Sequence, residues 1–423
     1  MRIRVTKRAV TTMGVRVWLA TLLACTTLAA SPASAQFPGL PLGSPAPAPG
    51  QEGARRAPIT VTPSIAITGE FNDNVFQDNR NRRSDFILGI TPGISIAIEN
   101  PIYTLVGSYS FTSEIYADNT ELNDAFARQS LRLDGSYRVS PRLTLSLSEA
   151  FTMSNDSNLV VTENVSTGRT TSISNTLSPA LAYQIDPRTQ LRLRGSWTAV
   201  RYDSSTAFDS DTYAADVFVD YAFTPRLTGS AGYQVAYFAI EGDTDATTHT
   251  PRLGVSYRFT PALTGSLSAG PTILVPESGD TEVFPAITAA LQQRFSWGSA
   301  TVQYDQAIGT AGGLGGPTED QSLGATVQVD RLVRGLVVQF VPRYTRTRGT
   351  GNDSIDVDTV SLTLQARYEI TRWMAAIAGY TFYLQRSGNT AVVTPAGTVT
   401  TANDVDQNRV FVGLQFGYPI TFD

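Results

Sequence analysis

The residues able to carry enzyme chemistry are few. A single histidine, His249, sits in Thr247-Thr248-His249-Thr250, read here as the end of a loop. Serine nucleophiles need a base held within hydrogen-bond reach, and no serine is placed opposite His249 at matched depth, so a Ser–His site is not expected. The only cysteine is Cys25, in the apolar leader described below; the chain beyond it has no thiol for a disulfide or a thiolate metal site. The acidic stretches Asp209-Ser210-Asp211 and Glu241-Gly242-Asp243-Thr244-Asp245 offer oxygen ligands without the spacing of a calcium loop, and read as hydrated loops. Gly312-Gly313-Leu314-Gly315-Gly316 lacks the strand–helix context of a phosphate loop and reads as a flexible connection. No enzyme, cofactor or metal is expected.

Charge laid out in alternation is what remains. Arg128, Arg132, Arg138, Arg192, Arg194, Arg258, Arg343 and Arg367 share one parity of their segments with Asp134, Asp216, Asp220 and Glu369, and Phe218 stands between the two aspartates. The opposite parity is apolar. Leu143, Leu145 and Leu147 alternate with Thr144, Ser146 and Ser148; Leu191, Leu193 and Trp197 alternate with Arg192, Arg194 and Ser196. A period of two is the signature of a strand with two unlike faces. Arginine facing lipid costs about 2–4 kcal/mol at the bilayer midplane, so the charged parity is assigned to an interior and those residues, Phe218 included, are the pore-lining candidates. Charge clusters narrow and polarise a channel; the plainer alternative is that they pair and fill the interior.

These strands recur with one turn. Tyr137-Arg138-Val139-Ser140-Pro141-Arg142-Leu143, Tyr183-Gln184-Ile185-Asp186-Pro187-Arg188, Tyr221-Ala222-Phe223-Thr224-Pro225-Arg226-Leu227 and Tyr257-Arg258-Phe259-Thr260-Pro261-Ala262-Leu263 are copies, and Tyr368-Glu369-Ile370-Thr371-Arg372-Trp373 is related. Proline after a Ser, Thr or Asp suits a tight turn. Weaker turns fall at Glu99-Asn100-Pro101, Ser296-Trp297-Gly298 and Leu332-Val333-Arg334. Longer polar segments lie between, among them 72–83, 154–172, 309–319, 347–356 and 386–406. Short turns on one side and long loops on the other are the habit of outer-membrane barrels, and the tally is about 18 strands, with 16 the alternative. The five tyrosines share the apolar parity at one depth, which predicts an aromatic girdle at the periplasmic interface.

The ends agree. Arg2, Arg4, Lys7, Arg8 and Arg16 precede an apolar run, Val17 to Ala30, and Ala33-Ser34-Ala35, which together read as a signal peptide over 1–35. Leu22-Leu23-Ala24-Cys25 is a weak lipoprotein-like site, set aside for the better one at Ala35. Residues 36–58 form a Pro-rich tail read as periplasmic, and 59–423 the barrel. Val410, Val412, Leu414, Phe416, Tyr418, Ile420 and Phe422 share a parity, and Phe416, Tyr418 and Phe422 are candidates for the terminal signal read by the outer-membrane assembly machinery, with Asp423 displacing the aromatic residue from the last position. Removing the leader leaves 27 basic against 37 acidic groups, net −10, the wrong sign for a nucleic-acid partner. The expected partners are outer-membrane lipid, lipopolysaccharide and that machinery. No stretch approaches the roughly 18 apolar residues of a membrane helix.

The segment Gly69-Glu70-Phe71-Asn72-Asp73-Asn74-Val75-Phe76, with Ser84-Asp85-Phe86, Ile90-Thr91-Pro92-Gly93-Ile94 and the Pro-Arg-Leu-Thr hairpins, resembles the outer-membrane β-barrel porin family associated with exopolysaccharide and PEP-CTERM export loci. The resemblance covers most of the chain beyond the leader. It implies a barrel and a role in polysaccharide secretion. The whole sequence thus leads to an all-β, closed antiparallel transmembrane barrel, porin-like, for polar or sugar solutes. A non-enzymatic exopolysaccharide export component or a structural barrel is the alternative; lumenal aromatic side chains such as Phe218 would favour export.

Overall fold

The computed structural model describes residues 59–155, 165–166, 168–204, 207–241, 244–310, 313–351, 355–387, 391–393, 399–401 and 404–422. The leader and the Pro-rich tail lie outside the described residues.

Eighteen antiparallel strands form one closed sheet. In chain order they are β1 (Ile59–Asn72), β2 (Asp85–Glu99), β3 (Tyr103–Tyr116), β4 (Asp124–Arg138), β5 (Leu143–Ser154), β6 (Ser172–Asp186), β7 (Thr189–Tyr202), β8 (Ser210–Ala222), β9 (Leu227–Ile240), β10 (Ala246–Arg258), β11 (Leu263–Pro276), β12 (Glu282–Phe295), β13 (Gly298–Thr310), β14 (Pro317–Val329), β15 (Leu336–Gly349), β16 (Asp356–Thr371), β17 (Met374–Arg386) and β18 (Val405–Gly417). Each pairs with its chain neighbour. Closure is made by β1, which pairs with β18 from Ser64↔Gly417 to Asn72↔Arg409 and with the extension Ile420–Phe422. Closure leaves no strand edge unpaired, the condition for backbone to cross hydrocarbon. A separate two-stranded ribbon, Ala391–Val393 with Val399–Thr401, rises from the β17–β18 connection.

The turns explain the repeat. At one end, Ser140 Oγ accepts from the amides of Arg142 (3.2 Å) and Leu143 (3.0 Å). Thr224 Oγ1 accepts from Arg226 (3.2 Å) and Leu227 (3.0 Å), and Thr260 Oγ1 from Ala262 (3.2 Å) and Leu263 (2.9 Å). Asp186 does the same for Arg188 (2.8 Å) and Thr189 (3.1 Å). The hydroxyl or carboxylate thus satisfies amides that the two strands leave over. At Ser296–Trp297 two residues make the turn, and Gly298, which opens β13, lies so close to β14 that a Cβ there would be 1.9 Å from the Gln328 carbonyl oxygen. All eight short turns lie at this end; the long connections lie at the other.

Alternation then sorts the faces. Ile65, Ile67, Phe71, Phe86, Leu88, Ile94, Leu364, Val410, Val412 and Leu414 are exposed on the outside, while threonines and glutamines are buried within. Ordinary soluble packing is inverted.

Candidate functional site

Strand register fixes which side chains enter the lumen. Arg194 pairs with Asp216 and Arg192 with Phe218 across β7–β8; Asp216 pairs in turn with Gln234. Arg128, Arg132, Asp134 and Arg138 face inward opposite Ser154, Ala150, Ser148 and Thr144. Arg343 faces inward beside Ser361, and Arg367 beside Ile377 with Glu369 beside Ala375. Arg258 stands opposite Thr264. Tyr137, Tyr183, Tyr221, Tyr257 and Tyr368 face outward at the short-turn end, each 38–47% exposed, so they form one belt.

The inner wall is unevenly charged. From β7 to β16 it carries two tight pairs: Arg192 grips Asp220 through Nε and Nη2, and Arg194 Nε lies 3.2 Å from Asp216. Beyond them stand Arg252, Asp305, Arg343 and Arg367. Asp305 accepts from Gln303 (2.5 Å). Among the described residues Arg252 reaches Thr288 Oγ1 at 3.4 Å, and its Nε has no hydrogen-bond partner. Among the described residues Arg367 Nε is likewise buried and without a hydrogen-bond partner, and Arg343 makes no ion pair. The wall therefore presents cationic groups whose neutralisation is incomplete.

Phe218 faces the lumen as expected, but it is 8% exposed, with the Arg192 guanidinium 5.4 Å over its ring. Its face is occupied, so it offers no platform for a sugar ring.

Nearer the long-loop end lies a network that sequence reading missed apart from Arg128. Arg409 holds Glu70 through Nε (2.8 Å) and Nη2 (2.6 Å). Arg128 bridges Glu114 and Glu70, and Tyr116 donates to Glu114 at 2.7 Å. These groups come from β18, β1, β4 and β3. Arg128 is thus a fixed brace in the wall rather than a free lining cation.

Connections fold into the long-loop mouth. Val165, from the β5–β6 connection, packs with Leu314, Ile355 and Val357 in a buried cluster. Leu314 comes from the β13–β14 connection and Ile355 from the β15–β16 connection, which flank the strands opposite β5 and β6 in an 18-stranded ring, so this contact bridges the opening. Gln385 clamps the same connection: its Nε2 donates to the Ser166 carbonyl at 2.7 Å, and the Ser166 amide donates back at 2.7 Å. Gly313, Gly315 and Gly316 have φ of 74°, 85° and 69°, which lets the chain turn Leu314 inward to full burial. The described part of the glycine run is therefore packed, not a loose loop. A second cluster, Val75, Ile87 and Tyr116, seats the β1–β2 connection against the wall.

Three expectations are corrected on the outer face. His249 is not in a loop: it lies in β10, faces outward, and its Nδ1 is 2.6 Å from the Tyr233 hydroxyl. Asp209 and Asp211 are not simply hydrated, since both pair with Arg201. Asp245 likewise is held, accepting from the Ile240 amide at 3.1 Å.

No family model matches the sequence, and no curated protein matches it. Among solved structures it is similar to OpdO of Pseudomonas aeruginosa, at 14% identity and a TM-score of 0.43, over 86% of this chain and 98% of that one. The outer membrane protein OpdK of Pseudomonas aeruginosa matches at 11% identity and 0.42, over 86% and 99%. OccAB4 of Acinetobacter baumannii matches at 12% identity and 0.39, over 86% and 98%. Likeness at this level says nothing of what passes through the barrel, whose closure rests on its own strand pairing.

Proposed function

We propose that this protein is a porin-like channel of the bacterial outer membrane, passing polar solutes and favouring anionic ones. The observation that carries the reading is the lumenal wall from β7 to β16, where Arg252, Arg343 and Arg367 lack a full set of anionic partners. Buried polar groups are ordinarily satisfied, and an ionised side chain left without a partner is costly unless water reaches it. Incompletely paired arginines inside a barrel are therefore understood as lining a wet path. An apolar outer belt with tyrosines at one rim fits a barrel seated in lipid, with the short turns in the periplasm. The role is non-enzymatic: His249 faces outward beside Tyr233, away from the lumen.

The partners proposed are bilayer lipid and lipopolysaccharide around the belt, and the assembly machinery at the last strand, where Tyr418 and Phe422 are exposed. A place in exopolysaccharide export rests on the family resemblance alone, because Phe218 is covered by Arg192.

Planar-bilayer recording of the refolded protein tests the channel. Steady openings with a reversal potential on the anion side in a salt gradient are expected. Silence from protein shown folded by heat-modifiable gel mobility would overturn it.

A further inference from the structure

The two ends of the barrel treat arginine differently. At the long-loop end most arginines are in ion pairs, Arg82 with Asp73, Arg346 with Asp356 (3.3 Å), Arg386 with Asp406 (2.6 Å) and Arg201 with two aspartates, while Arg83 stacks on Phe76 and Arg80 is exposed. At the short-turn end Arg331 lies 3.5 Å from Asp330, but Arg138, Arg142, Arg226, Arg258, Arg294 and Arg372 are all exposed, and none of these six has an ion-pair partner among the described residues. Of the eight short turns only Asn100–Ile102 has no arginine in it or beside it.

The orientation of these side chains narrows what they meet. Arginine at a membrane surface often reaches into phosphate headgroups, and turn residues such as Arg226 and Arg372 suit that role. Arg138, Arg258 and Arg294 do not. Each has the inward parity of its strand, opposite Thr144, Thr264 and Ser299 respectively. They stand on the lumenal rim of β4, β10 and β12, on the inner side of the tyrosine belt. Strands are spaced by about 4.8 Å, so β4 and β10 are separated by roughly 29 Å of wall. One small anion cannot span them. A chain of repeated negative charges can, and exposed unpaired cations around a low-dielectric mouth focus such a ligand.

We propose that the short-turn mouth is a capture collar for an anionic polymer, one bearing carboxylate, sulfate or phosphate groups at repeated intervals, and that the pore is therefore sided: polyanions enter it from the short-turn face and are repelled at the acidic long-loop face. The proposal deepens the channel reading and rests on it for passage, but the capture itself does not need an open pore. The free acids at the far mouth include Glu277 and Asp280, both exposed.

The experiment uses dextran sulfate, with neutral dextran of the same size as control, on the full refolded barrel. Orientation in the bilayer is read from an Asp280→Cys variant treated on one side with a bulky thiol reagent, since residues 59–423 contain no other cysteine. Dextran sulfate is expected to block at a concentration at least tenfold lower from the short-turn side than from the loop side. The Arg138→Ser/Arg258→Ser/Arg294→Ser variant is expected to lose that difference between the two sides, and 1 M salt is expected to abolish it. Equal block from both sides, or block that survives in the triple variant, overturns the proposal. If the folded barrel never conducts, the channel reading fails and the collar is judged separately by the fluorescence of Trp297, three residues from Arg294. Quenching by dextran sulfate and not by dextran, lost in the triple variant, upholds capture; no quenching overturns it. Dependence of the variant's defect on anionic phospholipid alone would assign the collar to lipid and overturn it too.

Discussion

Asp220 holds Arg192 by both arms of the guanidinium, with Nη2–Oδ1 at 2.8 Å, while the Phe218 ring lies 5.4 Å from the same carbon. The arginine is thereby flattened against the wall of β7 and β8, neutralised and stacked. Arg252 on β10 and Arg343 on β15 have no comparable partner among the described residues. Asp220→Asn keeps the shape and removes the charge. The reversal potential in a salt gradient is expected to move toward anions. Stability is expected to fall by about 1–3 kcal/mol, the cost of leaving one member of a charged hydrogen-bonded pair. Unchanged selectivity would place Arg192 outside the permeant path.

The Glu70–Arg409 pair is the more deeply buried, with Arg409 side chain 2% exposed. Removing one partner of such a pair costs about 3–5 kcal/mol, whereas replacing both with apolar groups costs much less. Glu70→Gln is therefore expected to lower the urea midpoint strongly, the loss falling on Arg409, because Arg128 keeps Glu114. Glu70→Leu combined with Arg409→Met is expected to recover much of it. If the double variant is no better than the single one, the network holds the connections of the mouth rather than the wall itself.

Much of this was legible in the sequence, for a physical reason. A closed barrel with an apolar outer face repeats one constraint on every strand, so parity alone put Arg192, Asp216 and Arg367 inside and Tyr221 outside. The turn signal Ser/Thr/Asp-Pro is local, with Thr224 reaching amides two and three residues on, and it needed no tertiary knowledge. What was missed is long-range. Glu70 and Arg409 are joined only because β1 closes on β18, and nothing local announces the partner. His249 was misplaced because Thr247-Thr248-His249-Thr250 is polar at every position; in β10 Thr248 and Thr250 point inward, while His249, on the outward parity with Thr247, finds a hydroxyl from β9. Leu314 looked like part of a loose linker because its burial is supplied by Val165 and Ile355, from distant connections.

One outward residue breaks the apolar belt. Glu149 faces outward on β5 between Leu133 of β4 and Leu177 of β6, four residues further from the turn than Leu145, the partner of Tyr137. It makes no ion pair or hydrogen bond among the described residues. Carboxylates on the lipid face cost less than the 2–4 kcal/mol of arginine, so Glu149→Leu is expected to stabilise the barrel by about 1 kcal/mol, read as a higher urea midpoint with an unchanged slope. An unmoved midpoint would mean that this part of β5 does not meet hydrocarbon.

The bridge over the long-loop mouth sets the last expectation. Gln385 is fully buried and meets Ser166 through two hydrogen bonds of 2.7 Å, while its Oε1 also accepts from Tyr383 at 2.6 Å. Gln385→Leu removes both and leaves the Ser166 amide and carbonyl to be satisfied by water, which they find only if the connection lifts away from the wall. Lifting also uncovers Val165, whose apolar contacts with Leu314 and Val357 oppose the movement. The balance is set by about 1–3 kcal/mol from the lost hydrogen bonds, against a comparable apolar contribution from Val165. The single variant is therefore expected to flicker between two conductance levels. Adding Val165→Asp removes the apolar contact as well and is expected to fix the channel at the higher level, with the urea midpoint of the strands unchanged. A conductance identical to the parent in both variants would show that the bridge crosses the mouth without narrowing the path.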